Sequence, residues 1–187
     1  EQMMGLNKGL NELGFELVFD KRPQLIEAIK LATIDYVYAN PPIRQNFSDY
    51  IIDHLHYDYH YISDIFSSTE GIPLGKYAIK VRMRRARQLL RTTNDSIADI
   101  AYALGYTSQT YMSTQFKKEL SLGVNKYISG LRMERAKLLL AETNLSITEI
   151  ASQLFYYDAK YFSKCFFEKM GMNPKDYRNS LHENRSE

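Results

Sequence analysis

The sequence has few of the residues that hold small extracellular domains together. Cys165 is the one cysteine among 187 residues, tryptophan is absent, and proline occurs only five times. A single cysteine excludes an intramolecular disulfide framework and is typical of a reducing compartment, which predicts a cytoplasmic location. No apolar run approaches the roughly 18 residues that a membrane-spanning helix needs, so we expect no membrane partner.

Motifs that carry chemistry are also scarce. The sequence shows no phosphate-binding glycine loop, no pairing of nucleophile and base, and no paired carboxylates. His54, His56 and His60 are the densest group of metal-ligand types, but their spacing fits no single helical face and no cysteine joins them. We therefore predict that the protein is not an enzyme, has no metal site and needs no cofactor.

Charge is distributed unevenly along the chain. Residues 1–80 carry 7 Lys and Arg against 11 Asp and Glu, whereas residues 81–187 carry 17 against 11. An excess of positive charge in one part of a chain favours a polyanionic partner, although two ordinary solvated surfaces give the same balance.

A repeat with a period of fifty residues runs through the basic part of the chain. The segment SIADIAYALGYTSQTYMSTQF at residues 96–116 matches SITEIASQLFYYDAKYFSKCF at residues 146–166. Three sets of aromatic residues align at this offset: Tyr61, Tyr111 and Tyr161; Phe66, Phe116 and Phe166; Tyr77, Tyr127 and Tyr177. We therefore define three copies, of which copy 1 is the most diverged and has a turn one residue shorter.

Each connecting segment predicts a helix. Apolar residues recur there at helical spacing, at Met83, Ala86, Leu89 and Leu90 before copy 2 and at Met133, Ala136, Leu139 and Leu140 before copy 3. Ser96 and Ser146 stand three residues before an acidic residue, as in a capping box that starts the next helix.

Within a copy, the pattern predicts two short helices joined by a tight turn. Gly105 supplies the turn of copy 2, and a second helix follows from about residue 108 to residue 120. We expect the recurrent Tyr61, Tyr111 and Tyr161 to lie in the core. Phe155 replaces the turn glycine in copy 3, where we expect an altered turn.

This arrangement describes a helix-turn-helix, whose second helix enters the major groove of DNA. The outward residues of that helix in copy 2 can all form hydrogen bonds and none is acidic: Ser108, Gln109, Thr110, Ser113, Thr114 and Lys117. Gln pairs with adenine, Ser and Thr pair with bases or phosphates, and Lys pairs with phosphates.

The segment SIADIAYALGYTSQTYMSTQFKKEL, together with GMNPKDYR at residues 171–178, resembles the DNA-binding domain of AraC/XylS-type transcription regulators. The resemblance covers about residues 44–178. It implies two helix-turn-helix motifs joined by a long helix, with recognition helices in successive major grooves and double-stranded promoter DNA as the partner. It also places Gln109, Thr110, Ser113, Thr114 and Lys117 at positions that contact bases or phosphates.

The chain departs from this family in having three copies. The closing Pro-x-x-Tyr pattern is present at residues 174–177 but absent from copy 2, where Val124 replaces the proline, so we interpret copy 3 as a duplication of connector and second motif. The remaining candidate DNA contacts are Ala159, Lys160, Ser163 and Lys164 in copy 3 and Tyr59, His60 and Ser63 in copy 1. Asp58 and Asp64 would weaken binding by copy 1, whereas Arg84, Arg87 and Arg91 share one side of the first connector and are candidate phosphate contacts.

The predicted fold is mainly α, with tandem helix-turn-helix units joined by long connector helices and a short N-terminal α/β segment. Residues 1–40 form that segment, which is similar at LNKGLNELGFELVFD to the end of a ferredoxin-like domain but has no Cys-x-x-Cys. Residues 41–80 form the first unit, 81–130 and 131–180 each form a connector and a further unit, and 181–187 form a disordered tail.

These observations predict a sequence-specific DNA-binding transcription regulator of the AraC type. Further expected partners are RNA polymerase and a second chain that pairs through the N-terminal segment as a homodimer. The alternative is a protein-interaction module in which one or more helix-turn-helix units mediate dimerisation or block another regulator.

Overall fold

The computed structural model of the protein describes residues 21–183, with only the backbone at residues 182 and 183. This range contains ten helices and no strand: α1 Arg22–Tyr38, α2 Phe47–Leu55, α3 Tyr59–Glu70, α4 Leu74–Thr92, α5 Ile97–Ala103, α6 Gln109–Leu120, α7 Val124–Glu142, α8 Ile147–Gln153, α9 Ala159–Met170 and α10 Pro174–Glu183. Residues 1–20 of the predicted N-terminal α/β segment lie outside the described residues. Helix α10 continues three residues into the segment predicted as a tail.

The fifty-residue period is visible in the helix boundaries. Helices α3, α6 and α9 each have 12 residues, and their ends differ by fifty positions from one copy to the next. Helices α4 and α7 have 19 residues each at the same offset. The predicted mainly α fold with tandem copies and long connectors is confirmed.

Two compact units divide the described residues. The first contains residues 21–89 and 94–109, and the second contains residues 90–93 and 110–183. In the first unit, α1 packs against α2 and α3, which also pack against each other. Its core is formed by the buried Ile26, Ile29, Ala32, Ile51, Ile62, Ile65, Phe66 and Leu74.

In the second compact unit, α9 packs against α8 and α10, and α7 packs against the same two helices. Its core is formed by the buried Met133, Ala136, Leu139, Leu140, Ile150, Ala151, Leu154, Phe162 and Phe166. Four of these residues are the apolar stripe predicted for the second connector, which is thereby confirmed. Among residues 21–183, no helix is both long enough and apolar enough to cross a bilayer.

The connector helices begin earlier than the predicted segments at residues 81 and 131. Helix α4 starts at Leu74 and α7 at Val124 because the buried Leu74, Ala78 and Val81 extend the apolar spacing towards the N-terminus. At 1.5 Å per residue, a helix of this length spans about 28 Å.

Capping boxes start the short helices α5 and α8, as predicted. The Ser96 hydroxyl accepts a hydrogen bond from the Asp99 N–H at 3.1 Å, and the Ser96 N–H donates to the Asp99 carboxylate at 3.3 Å. Ser146 and Glu149 make the equivalent pair at 3.2 and 2.7 Å. Hydrogen bonds from the Ser146 side chain and the Ser146 N–H to the Glu149 carboxylate lower the pKa of Glu149.

The recurrent tyrosines do not lie in the core, so that prediction is wrong. Tyr61, Tyr111 and Tyr161 are 49%, 53% and 55% exposed. Each stands third in its helix, whereas the core positions are the fourth and the eighth. Those positions hold buried residues in all three copies: Ile62 and Phe66, Met112 and Phe116, Phe162 and Phe166.

The prediction of an altered turn in copy 3 is also wrong. Phe155 has φ of 59°, close to the 74° of Gly105, so both residues are left-handed. This conformation costs an L-residue about 1–2 kcal/mol, and in copy 3 the packing of the neighbouring Leu154 and Tyr156 in the core holds the turn in place. In copy 1, His56 has φ of 60° and lies one residue nearer to the next helix, which confirms the shorter turn.

Candidate nucleic-acid interface

The second helix of each copy begins directly after a polar residue. Asp58 precedes α3 and accepts hydrogen bonds from the N–H groups of His60 at 2.8 Å and Tyr61 at 3.3 Å. Asp158 precedes α9 and accepts from the N–H of Tyr161 at 2.6 Å. These bonds fix the start of the helix, which is the end that a recognition helix directs at base edges.

In copy 2, most of the predicted contact residues are exposed along one side of α6. Gln109, Thr110, Thr114 and Lys117 are exposed, as is the preceding residue 108, whereas Ser113 is half-buried. The Thr114 hydroxyl donates to the Thr110 carbonyl at 2.9 Å, so its oxygen lone pairs are directed outward as acceptors. This face therefore offers amide, hydroxyl and ammonium groups to a partner.

In copy 3, the predicted set divides by exposure. Lys160 and Lys164 are exposed, whereas Ala159 and Ser163 are half-buried, and the Ser163 hydroxyl donates to the Ala159 carbonyl at 2.7 Å. Ala159 also packs against the core of the second compact unit. Lys164 Nζ lies 3.9 Å from Glu168 Oε1. The two ammonium groups are therefore the part of this set most open to a ligand.

Copy 1 has a weaker candidate surface. His60 Nε2 lies 3.3 Å from Asp64 Oδ2 on the exposed side of α3, and Ser63 is half-buried. Tyr59 packs against the core of the first compact unit, where burial raises the pKa of its phenol. Within residues 21–183, His, Cys, Asp and Glu form no group of three that could hold a metal ion.

The first connector separates its arginines into two sets. Arg84, Arg87 and Arg91, the predicted phosphate contacts, are exposed, and their spacing of three and four residues keeps them on one side of α4. Such a row of guanidinium groups suits a phosphate backbone.

The other arginines of this connector pack on tyrosine rings instead. The Arg82 guanidinium lies 5.7 Å from the centroids of both Tyr36 and Tyr106, and Arg85 lies 4.7 Å from that of Tyr38. These are cation–π distances, so Arg82 and Arg85 stabilise the first compact unit. Neither role was predicted from the sequence.

The same arrangement recurs one period later. Arg132 stands fifty residues after Arg82 and lies 5.7 Å from the ring of Tyr156, the counterpart of Tyr106. Tyr156 lies in the turn that leads into α9. The repeat alignment of an arginine with an aromatic residue was the signal that could have revealed this pair.

Arg178 is a further residue whose role was not predicted from the sequence. Its Nη2 donates to the Leu145 carbonyl at 2.6 Å, and its Nε donates to the Leu140 carbonyl at 3.4 Å. Arg178 thus holds α10 against the C-terminal end of α7 and the start of copy 3. The last carbonyls of a helix have no partner within the helix, and that of Leu140 is one of them.

The exposed tyrosines border the outward faces of the recognition helices. Tyr111 accepts a hydrogen bond from Gln115 Nε2 at 3.4 Å. In copy 3, a hydrogen bond with Cys165 raises the pKa of Tyr161. Each exposed tyrosine therefore places a hydroxyl group beside a predicted contact surface.

In copies 1 and 3, a short helix packs against a longer helix that follows a left-handed turn and presents polar residues outward. This arrangement defines the helix-turn-helix class of DNA-binding proteins. A family model described as a helix-turn-helix domain matches residues 51–127 and again residues 115–180. The chain belongs to the AraC-type helix-turn-helix regulators.

Among known proteins, the chain is similar to the HTH-type transcriptional regulator YisR of Bacillus subtilis, with 38% identity over 64 residues that cover 34% of this chain and 22% of YisR. It is 39% identical over 54 residues to the HTH-type transcriptional activator RhaR of Mannheimia succiniciproducens, which covers 29% of this chain and 20% of RhaR. The chain therefore spans about a fifth of the length of these relatives.

A solved structure supports the family assignment. The chain is similar to a transcriptional regulator from Chromobacterium violaceum whose description names AraC-type DNA-binding domains. The TM-score is 0.50 with 27% identity, and the match covers 55% of this chain and 93% of the other.

Proposed function

We propose that this chain binds double-stranded promoter DNA sequence-specifically and regulates transcription. The observation that carries the proposal is the outward face of α6, where Gln109, Thr110, Thr114 and Lys117 are exposed together and no acidic residue interrupts them. These are the hydrogen-bonding groups that contact base edges and phosphates in a major groove.

Within this proposal, the residues divide the work by chemistry. Gln109 and Thr110, in the first turn of α6, contact base edges, whereas Lys117, two turns further on, contacts a phosphate. In copy 3, Lys160 and Lys164 extend the contacts to a second segment of the duplex. The exposed arginines of α4 add further phosphate contacts, each of which makes the slope of log K against log salt steeper by about 0.9.

The partners of the whole protein are part of the same proposal. RNA polymerase is the expected partner at a promoter, in keeping with the description of RhaR as a transcriptional activator. We assign homodimerisation to residues 1–40 and place the protein in the cytoplasm, where bacterial promoter DNA is found.

The test is a charge reversal on the proposed face. Duplexes enriched from a randomised DNA pool by the wild-type chain are titrated by fluorescence anisotropy with Thr114→Glu, Lys117→Glu and a control, Lys126→Glu. Lys126 is exposed in the first turn of α7, where a carboxylate suits the helix dipole, so the control repeats the charge change of Lys117→Glu on another helix.

We expect each α6 variant to lose at least about tenfold in affinity, because a carboxylate then faces DNA phosphates, and the control to change by less than about threefold. Circular dichroism spectra of all three variants should match the wild type. Unchanged affinity in both α6 variants would remove α6 from the DNA interface.

Two observations favour a second function, that of a protein-interaction module. Copy 1 exposes the acidic pair Asp58 and Asp64, and copy 3 exposes aromatic rings such as Phe155, which suit a protein partner. This function predicts that the α6 variants keep any self-association seen by sedimentation and that no DNA sequence is enriched.

A further inference from the structure

Copies 2 and 3 differ in chemistry at the ninth position of the twelve-residue recognition helix. Helices α6 and α9 have the same length, so Phe167 stands ninth in α9, where Lys117 stands ninth in α6. Phe167 is 50% exposed, whereas the core of copy 3 is supplied by Phe162 and Phe166, both fully buried. The ring of Phe167 is thus left available at the surface.

Phe167 shares its side of α9 with the candidate DNA contacts of copy 3. It follows Lys160 by seven residues, Ser163 by four and Lys164 by three, which are the spacings of one helical face. The face therefore combines a phenyl ring with two exposed ammonium groups, while Glu168 lies 3.9 Å from one of them, that of Lys164.

The chemistry of this face selects its partner. Two lysines match the charge of a polyanion, and a phenyl ring gains free energy when it covers another apolar group. In the major groove of DNA, the apolar group on a base edge is the C5-methyl of thymine, and phenylalanine is one of the side chains that contact it. The face thus fits a duplex with thymine at the position opposite Phe167.

We propose that Phe167 contacts thymine methyl groups and makes copy 3 selective for thymine. The proposal rests on the proposed DNA-binding function and adds the base that copy 3 selects. It also distinguishes the copies, because Lys117 at the equivalent position of copy 2 contacts phosphate and confers no such selectivity.

The experiment replaces single thymines by deoxyuridine in a duplex enriched by the wild-type chain. This change removes the methyl group and keeps the base pairing. The binding of wild type, Phe167→Lys, Phe167→Leu and the control Leu138→Lys is measured by anisotropy. Leu138 is an exposed apolar residue of α7, so its variant makes a comparable change outside the recognition helix.

For the wild type we expect a three- to fivefold loss of affinity at one or two thymines, which is the effect of removing one buried methyl group. Phe167→Lys should bind thymine and deoxyuridine duplexes equally, whereas Phe167→Leu and the control should retain the discrimination. If the lysine variant fails to fold, the response of the wild type to deoxyuridine still tests the inference.

Two results would overturn the inference. One is a wild-type chain that is indifferent to deoxyuridine at every position of a duplex that it binds specifically, which leaves the proposed function intact. The other is a Phe167→Lys variant that keeps full discrimination and instead loses self-association in sedimentation. Failure to enrich any sequence would remove the proposed function itself, and this inference with it.

Discussion

The residue after each recognition helix allows a sharp test of the repeat. Gly71 follows α3 with φ of 70°, and Gly171 follows α9 with φ of 76°. At the equivalent place after α6 stands Ser121, with φ of 54°. Copy 2 thus has a residue with a side chain in the left-handed conformation, at a position where copies 1 and 3 have glycine.

We predict that Ser121→Gly stabilises the protein. Relief of the left-handed conformation contributes about 1–2 kcal/mol. The greater flexibility of unfolded glycine costs about 0.5–1 kcal/mol. Ser121 is exposed, so little buried surface is lost. The net gain is about 0.5–1 kcal/mol, equivalent to a rise in Tm of roughly 1–4 °C for a chain of this size.

The reverse substitution at the equivalent position of copy 3 is Gly171→Ser. A Cβ at Gly171 would meet no atom within 4 Å, so the substitution introduces conformational strain without a clash. We expect a loss similar in size to the gain at Ser121. Urea titrations and thermal melts followed by far-UV circular dichroism measure both effects, and a lower Tm for Ser121→Gly or no change for Gly171→Ser would refute the reasoning.

Four other substitutions test roles that are given above to single side chains. Arg178→Met should lower the free energy of unfolding by about 1–3 kcal/mol, because two carbonyls lose a charged donor, and urea titration measures this loss. Arg84→Met should reduce the slope of log K against log salt by about 1 at unchanged Tm, whereas Arg82→Met should lower Tm and leave the slope unchanged. Hydrogen bonds lower the pKa of Glu149, so the ionised carboxylate stabilises the folded protein. This stabilisation is fully present at pH values above the ordinary glutamate pKa and is lost as pH falls through the lowered pKa. The difference in Tm between wild type and Glu149→Gln should therefore be present at neutral pH and disappear in acid, and a difference that persists in acid would contradict the assignment.

The sequence predicted the helices well where local signals were repeated. The capping serines, the apolar stripes of the connectors and the fifty-residue period all agree with the structure. The predicted limits of α6, about residues 108–120, lie within one residue of the observed Gln109–Leu120. The connector starts at Leu74 and Val124 were missed because the predicted segments followed the strongest matches between copies rather than the full apolar spacing.

The errors arose where tertiary packing decides the outcome. The recurrence of Tyr111 suggested a core role. The face that a residue occupies depends on its position after the helix start, so an error of one residue in that start changes the predicted face. Phe155 suggested a changed turn, but the packing of its neighbours on both sides holds the left-handed conformation.

Contacts between residues far apart in sequence left no local signal. Arg178 bonds to carbonyls 33 and 38 positions away, and Arg82 lies between rings from two distant segments. Periodicity does not identify such pairs, although the alignment of Arg82 with Arg132 provided a usable clue. The outward faces were easier to predict, because polar residues at helical spacing identify the exposed side of a recognition helix.

Sequence-specific recognition of DNA is tested most directly by selection. The wild-type chain is incubated with a randomised duplex pool at near-physiological salt, and the length and spacing of the enriched sequence are determined. We predict enriched submotifs about ten base pairs apart, since recognition helices in successive major grooves are separated by one helical turn. Binding that remains salt-sensitive but enriches no sequence would contradict the account.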